Sequence, residues 1–135
     1  MVHVSAVRGV PDKWRRQWKE ATVGNKTLIL FEMLVAEVLS RLTVRKGQNA
    51  SRNRMLWLKG LRNTKMIDVD DSIAFEASRI YLRLRDYSLS LVDSFLLAIA
   101  KKERARVFTS DHSLRDAARE MKIDVSFLPE GVLEL

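Results

Sequence analysis

The sequence contains no cysteine, which excludes disulfide bonds, thiol catalysis and zinc sites built from thiolates. It has no apolar run long enough to cross a bilayer and no secretory leader. Internal repeats, low-complexity segments and linkers are absent as well. Together these absences predict a soluble, cytoplasmic protein with no membrane partner, folded as a single domain over residues 1–135.

Positive charge is in excess. The chain carries 24 lysines and arginines against 17 aspartates and glutamates, and its formal net charge is +7. A balance of this sign favours an anionic partner, and the simplest such partner is a nucleic acid. A basic surface also serves solubility, so charge alone does not decide between the two interpretations.

The stretch from residue 88 to residue 111, SLSLVDSFLLAIAKKERARVFTSD, has the pattern of a helix, a short turn and a strand. Ser90 and Asp93 have the S-x-x-D spacing of a capping box, in which both side chains satisfy free amides at a helix start. Residues 95–100 are apolar almost all round, which predicts a deeply buried helix. Residues 105–109, ARVFT, have the β-branched and aromatic character of a strand.

The lengths of these two elements bring two carboxylates together. About 11 helical residues rise about 16 Å, and about five strand residues return about 17 Å. The chain therefore comes back level with its starting point, and we expect Asp111 to lie beside Asp93. Ligands of open parallel sheets bind beyond the carboxyl ends of the strands, which is where both residues are expected.

Strands alternate with helices along the rest of the chain. This alternation predicts an α/β fold of three α/β/α layers, with a central, mostly parallel sheet of about four to five strands. The predicted strands are residues 27–31, 66–69, 105–109 and 123–127, and the predicted helices span about residues 11–21, 32–44, 49–62, 70–84, 90–102 and 113–122.

A third carboxylate, Glu37, is expected near the same sheet edge, one or two turns into its helix. Spacing alone favours an ion pair between Glu37 and Arg41, and each aspartate taken singly is better explained as a helix cap. Three carboxylates at one edge nevertheless repel unless a cation neutralises them. Oxygen ligands without His or Cys suit Mg²⁺ or Mn²⁺. Their convergence therefore predicts a divalent metal site able to support hydrolysis of a phosphodiester.

Three blocks of the sequence resemble the signature blocks of PIN domains. They are LVAEVL at residues 34–39, LVDS at residues 91–94 followed by Ala98 and Ala100, and VFTSD at residues 107–111. The resemblance is closest to VapC-type ribonuclease toxins and covers about residues 9–129. The three blocks carry the resemblance by their order and separation.

This resemblance implies a role for each site residue. Glu37, Asp93 and Asp111 would be the acidic metal ligands, and in that capacity the catalytic residues, of a Mg²⁺-dependent (or Mn²⁺-dependent) ribonuclease. Thr109 would be the small hydroxyl residue that supports the cofactor-binding site two positions before the last aspartate. The resemblance also implies RNA as the substrate, an antitoxin protein as a partner, and a homodimer.

One part of the PIN pattern is missing from the sequence. PIN domains normally carry a further aspartate, in a D-T/S-type motif, at the end of the first strand. If residues 7–9 end the helix that follows that strand, the acid would precede Met1, and we expect this shortened start. In another alignment residues 2–4 form the strand and Ser5 replaces the acid.

Three functions are consistent with the sequence. The first is a metal-dependent ribonuclease, the toxin of a type II toxin–antitoxin pair. The second is a catalytically inactive PIN-fold module that binds RNA or a protein, and the third is an unrelated basic α/β nucleic-acid-binding domain whose carboxylates serve only as caps. In the first two cases RNA affinity is expected to depend on basic residues that flank the acidic edge: Arg15, Arg16, Lys19, Arg41 and Arg45.

Overall fold

A computed structural model describes residues 27–60 and 64–127 of the chain. The predicted helix at residues 11–21 lies outside these residues. Four strands are present in the described part: β1 (Leu28–Leu30), β2 (Thr64–Met66), β3 (Val107–Thr109) and β4 (Val125–Phe127). Five α-helices accompany them: α1 (Glu32–Lys46), α2 (Gln48–Lys59), α3 (Asp71–Arg83), α4 (Leu91–Glu103) and α5 (His112–Glu120). The predicted α/β class is confirmed.

All the strand pairing in the described residues is parallel, as predicted. β1 pairs with β2, with Leu28 opposite Thr64, and β3 pairs with β4, with Val107 opposite Val125 and Thr109 opposite Phe127. The described strands form two separate two-stranded sheets. This sheet structure is smaller than the predicted sheet of four to five strands, and it is compatible with three layers.

The core is built around β1 and α4. All three residues of β1 are buried. In α4, Leu96 to Ala100 are buried, which confirms most of the apolar run that was predicted to be buried. Helix α3 packs along α4, and α1 packs along α2. Because α4 is apolar on nearly every side, it holds the first turn of its own helix in a fixed position against the rest of the core.

Two details of the predicted pattern are wrong. Strand β2 covers Thr64–Met66 and so ends where the predicted strand 66–69 begins. The 3.6-residue period of apolar residues in α3 predicts that Tyr81 faces the core as well, yet Tyr81 is 48% exposed. The buried stripe of α3 consists of Ile73, Ala77 and Ile80, and a residue one step beyond Ile80 is turned by about 100° toward solvent.

None of the described helices is long and apolar enough to span a membrane.

Candidate functional site

Asp93 is held at the start of α4 by the predicted capping box. The Ser90 side-chain oxygen accepts a hydrogen bond of 3.1 Å from the Asp93 amide. One oxygen of the Asp93 carboxylate accepts a bond of 3.2 Å from the Ser90 amide. The capping box is therefore confirmed, and it fixes the orientation of a half-buried carboxylate at the N-terminal end of a helix with a deeply buried middle.

Asp111 lies two residues beyond the end of β3 and is the N-cap of α5. Its Oδ1 accepts hydrogen bonds from the amides of Ser113, at 2.8 Å, and Leu114, at 3.2 Å. The hydroxyl of Thr109 accepts a bond of 3.0 Å from the Asp111 amide. Because Thr109 is only 1% exposed, this part-buried bond is partly shielded from water and helps to set the direction in which the chain leaves the strand.

Ser113 and Asp116 also have the S-x-x-D spacing, which predicts a second capping box, but α5 does not start in this way. The helix begins at His112, so that Asp111 occupies the N-cap position. Asp116 instead forms an ion pair of 2.9 Å with Arg115. A single aspartate oxygen already serves both free amides, which leaves no capping role for Ser113.

Glu37 lies in α1 and forms the ion pair with Arg41 that its spacing indicated, with 3.1 Å between Arg41 Nη2 and Glu37 Oε1. The pair is not the whole environment of Glu37. Burial raises the pKa of Glu37 and Arg41 lowers it, while the charges of Asp93 and Asp111 raise it further. The carboxylates of α1, of α4 and of the β3–α5 junction therefore act on one another electrostatically.

The same interactions act on Asp93. Its pKa is raised by burial, lowered by the hydrogen bonds with Ser90, raised by the charge of Asp111 and lowered by Arg41. Sequence spacing had assigned Arg41 to Glu37 alone. In the structure its guanidinium also stabilises the ionised form of Asp93, a contribution that nothing in the local spacing indicates because the two residues are far apart in sequence.

The three carboxylates are near one another but are not gathered around one point. Within residues 27–60 and 64–127, no group of three or more acidic, histidine or cysteine side chains is arranged so that it could hold a metal ion directly. Mutual repulsion of like charges favours this separation. Glu37 and Asp111 each use one oxygen in the contacts above, and no further bond to their second oxygens occurs in the described part. As far as the described residues are concerned, those two oxygens are available as ligands.

As a donor set, the residues fit a hard divalent cation. All three side chains supply oxygen, which Mg²⁺ and Mn²⁺ prefer. Because these side chains are not already arranged around one point in the described residues, coordination would require them to rotate toward one another. The assignment of Glu37, Asp93 and Asp111 as metal ligands, and of Thr109 as their support, stays a prediction.

Comparison with known proteins adds one match. The family model of the PIN domain matches residues 4–120, a range that includes all four predicted site residues. The match does not distinguish a VapC-like subtype from other PIN domains. No curated protein matches the sequence.

Proposed function

We propose, because the chain belongs to the PIN domain family, that it is a ribonuclease that hydrolyses phosphodiester bonds of RNA with the help of Mg²⁺ or Mn²⁺. PIN domains are commonly nucleases that use divalent metals. The observation that carries the proposal for this chain is the electrostatic coupling of Glu37, Asp93 and Asp111, which come from three different elements. Caps and surface ion pairs alone require no such convergence.

Each residue has a defined task in this proposal. Glu37, Asp93 and Asp111 hold the cation, which supplies Lewis-acid activation of the phosphodiester when it is bound. The capping box orients Asp93, and the Thr109 hydroxyl fixes the backbone of Asp111. Arg41 partly neutralises the acidic group, and its positive charge also favours the approach of a phosphate.

The raised pKa values of Glu37 and Asp93 have a consequence for metal binding. A cation binds the ionised carboxylates, so binding must displace any proton that they retain. We therefore expect metal affinity to increase with pH over the range in which these two groups ionise.

The more specific proposal is that the chain is the toxin of a type II toxin–antitoxin pair, acts in the cytoplasm, forms a homodimer and binds an antitoxin protein. The blocks at residues 34–39, 91–94 and 107–111 support it by their resemblance to VapC-type toxins. A second candidate is an inactive PIN-fold module that binds RNA or protein without cutting. It is favoured by the lack, in the described residues, of an acidic group already arranged to hold a metal.

Glu37→Gln provides the test between enzyme and inactive module. The matched control is Glu76→Gln, since Glu76 also pairs with basic residues, Arg79 at 3.2 Å and Lys101 at 3.0 Å, but lies on α3. End-labelled single-stranded RNA is incubated with each protein in Mg²⁺, in Mn²⁺ and in EDTA. We expect metal-dependent cleavage by the parent and the control, and a loss of about 100-fold or more in Glu37→Gln.

The result also separates the two candidates. RNA binding without cleavage in either metal, both by the parent and by Ser5→Asp, would contradict the ribonuclease and support the inactive module. The missing acid is tested in parallel with the variant Ser5→Asp. If Ser5 occupies the position of the missing acid, this variant should bind Mn²⁺ more tightly in calorimetry, because four carboxylates hold a divalent ion more firmly than three. Equal affinity with and without the added acid would count against Ser5 as the fourth position.

A further inference from the structure

Three side chains that the sequence pattern did not single out are stacked beside the acidic site. The rings of His112 and Phe127 are tilted by 40°, with 4.7 Å between their centroids. The guanidinium carbon of Arg115 lies 4.6 Å from the centroid of the same Phe127 ring. We refer to His112, Arg115 and Phe127 as the edge stack.

The edge stack lies at the same end of the strands as the acidic site. Phe127 is the last residue of β4 and is paired in register with Thr109, the last residue of β3. His112 directly follows Asp111 and is the first residue of α5. His112 therefore lies one residue from a carboxylate of the site at which the proposed function places a phosphate.

The three members differ in how much of them is available to a ligand. Phe127 is half-buried and is covered by its two neighbours. Arg115 is 23% exposed and already forms an ion pair with Asp116 at 2.9 Å. His112 is exposed, although its ring rests on Phe127. Packing of the core does not require an exposed ring in this position.

An exposed ring with a fixed support suits one kind of ligand. Single-stranded RNA is commonly bound by stacking its bases on aromatic or histidine side chains, and every base offers a flat face for this contact. The support matters because a ring that is already held in place loses little freedom when a base stacks on it. Arg115 contributes to this support through its contact with Phe127.

We propose that His112, supported by Phe127 and Arg115, is the stacking platform for the nucleobase next to the phosphate bound at the acidic site. This inference rests on the proposed function, since it takes RNA as the ligand. It predicts that the platform contributes to affinity for single-stranded RNA of any sequence, because stacking does not read the edges of the bases.

The test compares ring variants by the fluorescence anisotropy of labelled single-stranded RNA in Ca²⁺, which binds the same kind of carboxylate oxygens as Mg²⁺ and so supplies the charge that attracts the phosphate, and a gel shows that the RNA stays intact. His112→Ala removes the ring, and we expect an affinity about 5- to 100-fold weaker. His112→Phe keeps a ring without the imidazole nitrogens and should bind within about twofold of the parent. Tyr81→Ala is the matched control, since Tyr81 is also an exposed ring, 48% accessible, but lies on α3; it should bind like the parent.

A second measurement assigns the loss to a base. RNAs with a single abasic nucleotide, moved one position at a time, should bind the parent more weakly at one position. In His112→Ala the same abasic substitution should cause no further loss, because the platform is already absent. Phe127→Leu should weaken binding as well, and thermal unfolding of each variant shows whether it remains folded.

The outcomes separate this inference from the function on which it rests. Equal RNA affinity of the parent and His112→Ala, with metal-dependent cleavage retained, would overturn the platform alone. A loss in His112→Ala that is the same for intact and abasic RNA would also overturn it, because a phosphate contact and not a base would be responsible. An absence of RNA binding by the parent would overturn both.

Discussion

Replacing Asp93 with asparagine separates a helix cap from a metal ligand. Asparagine is also a good N-terminal cap residue, and its side-chain oxygen can still accept the bond from the Ser90 amide. The negative charge is lost. If Asp93 is only a cap, the RNA cleavage rate should stay near that of the parent. If it is a ligand, metal-dependent cleavage should fall by about 100-fold or more.

The stability of Asp93→Asn should also depend on pH in a defined direction. Burial, in the first place, raises the pKa of Asp93 above its ordinary value of 3.8, so the folded chain retains this proton to a higher pH than the unfolded chain does. Stability contributed by the protonated form is therefore lost as pH rises through the interval above 3.8 and then levels off. The asparagine variant lacks this loss, so its free energy of unfolding should exceed that of the parent by up to about 1 kcal/mol at pH 7.

Urea unfolding in EDTA at several pH values between about 4 and 7 measures this gain, and cleavage of labelled RNA in Mg²⁺ measures the loss of activity. Asp70→Asn is the matched control. Asp70 caps α3 through a bond of 2.9 Å from the Ile73 amide, outside the acidic group. The reasoning is refuted by an Asp93→Asn protein that cuts RNA at the parent rate, or by a difference in stability that is the same at every pH.

Three further expectations concern the surroundings of the site. Thr109→Val leaves the Asp111 amide without its acceptor, so urea unfolding should show that the free energy of unfolding falls by about 1–2 kcal/mol. Thr109→Ser keeps the hydroxyl, and its free energy of unfolding should fall clearly less. Arg41→Gln removes the cation that lowers the pKa of Asp93, so the loss of stability in EDTA should extend to higher pH, and an unchanged profile would argue against this interaction. Arg45→Gln should reduce the magnitude of the salt slope of RNA binding by about 0.7 if Arg45 contacts a phosphate, and an unchanged slope in anisotropy titrations would exclude that contact.

Sequence rules were sufficient to predict that Asp93 and Asp111 lie close enough to act on each other electrostatically, because this proximity depends on local structure. The capping box sets where α4 begins, and the rise per residue of a helix and of a strand returns the chain to the same level. Glu37 was harder to interpret. Its ion pair with Arg41 is present, so the local interpretation is correct, yet it says nothing of the two aspartates that also act on Glu37.

What the sequence did not reveal depends on contacts between distant segments. The N-cap residue of α5 depends on where β3 ends. Ser113 has the S-x-x-D spacing of a capping box, but Asp111 already accepts the hydrogen bonds of the free amides at the helix start. The stack of His112 on Phe127 joins residues from a helix start and a strand end. Likewise, periodicity predicts strands but not their partners, so it did not predict that the described strands form two separate pairs.

The division of the described strands into two parallel pairs has a consequence for how the native protein opens. Ladder hydrogen bonds join β1 to β2 and β3 to β4, whereas side-chain packing in a common core joins one pair to the other. One ladder can therefore open without breaking the bonds of the other. Native-state hydrogen exchange should then resolve two cooperative sets of amides, with residues 28–30 and 64–66 exchanging together and residues 107–109 and 125–127 forming a second set.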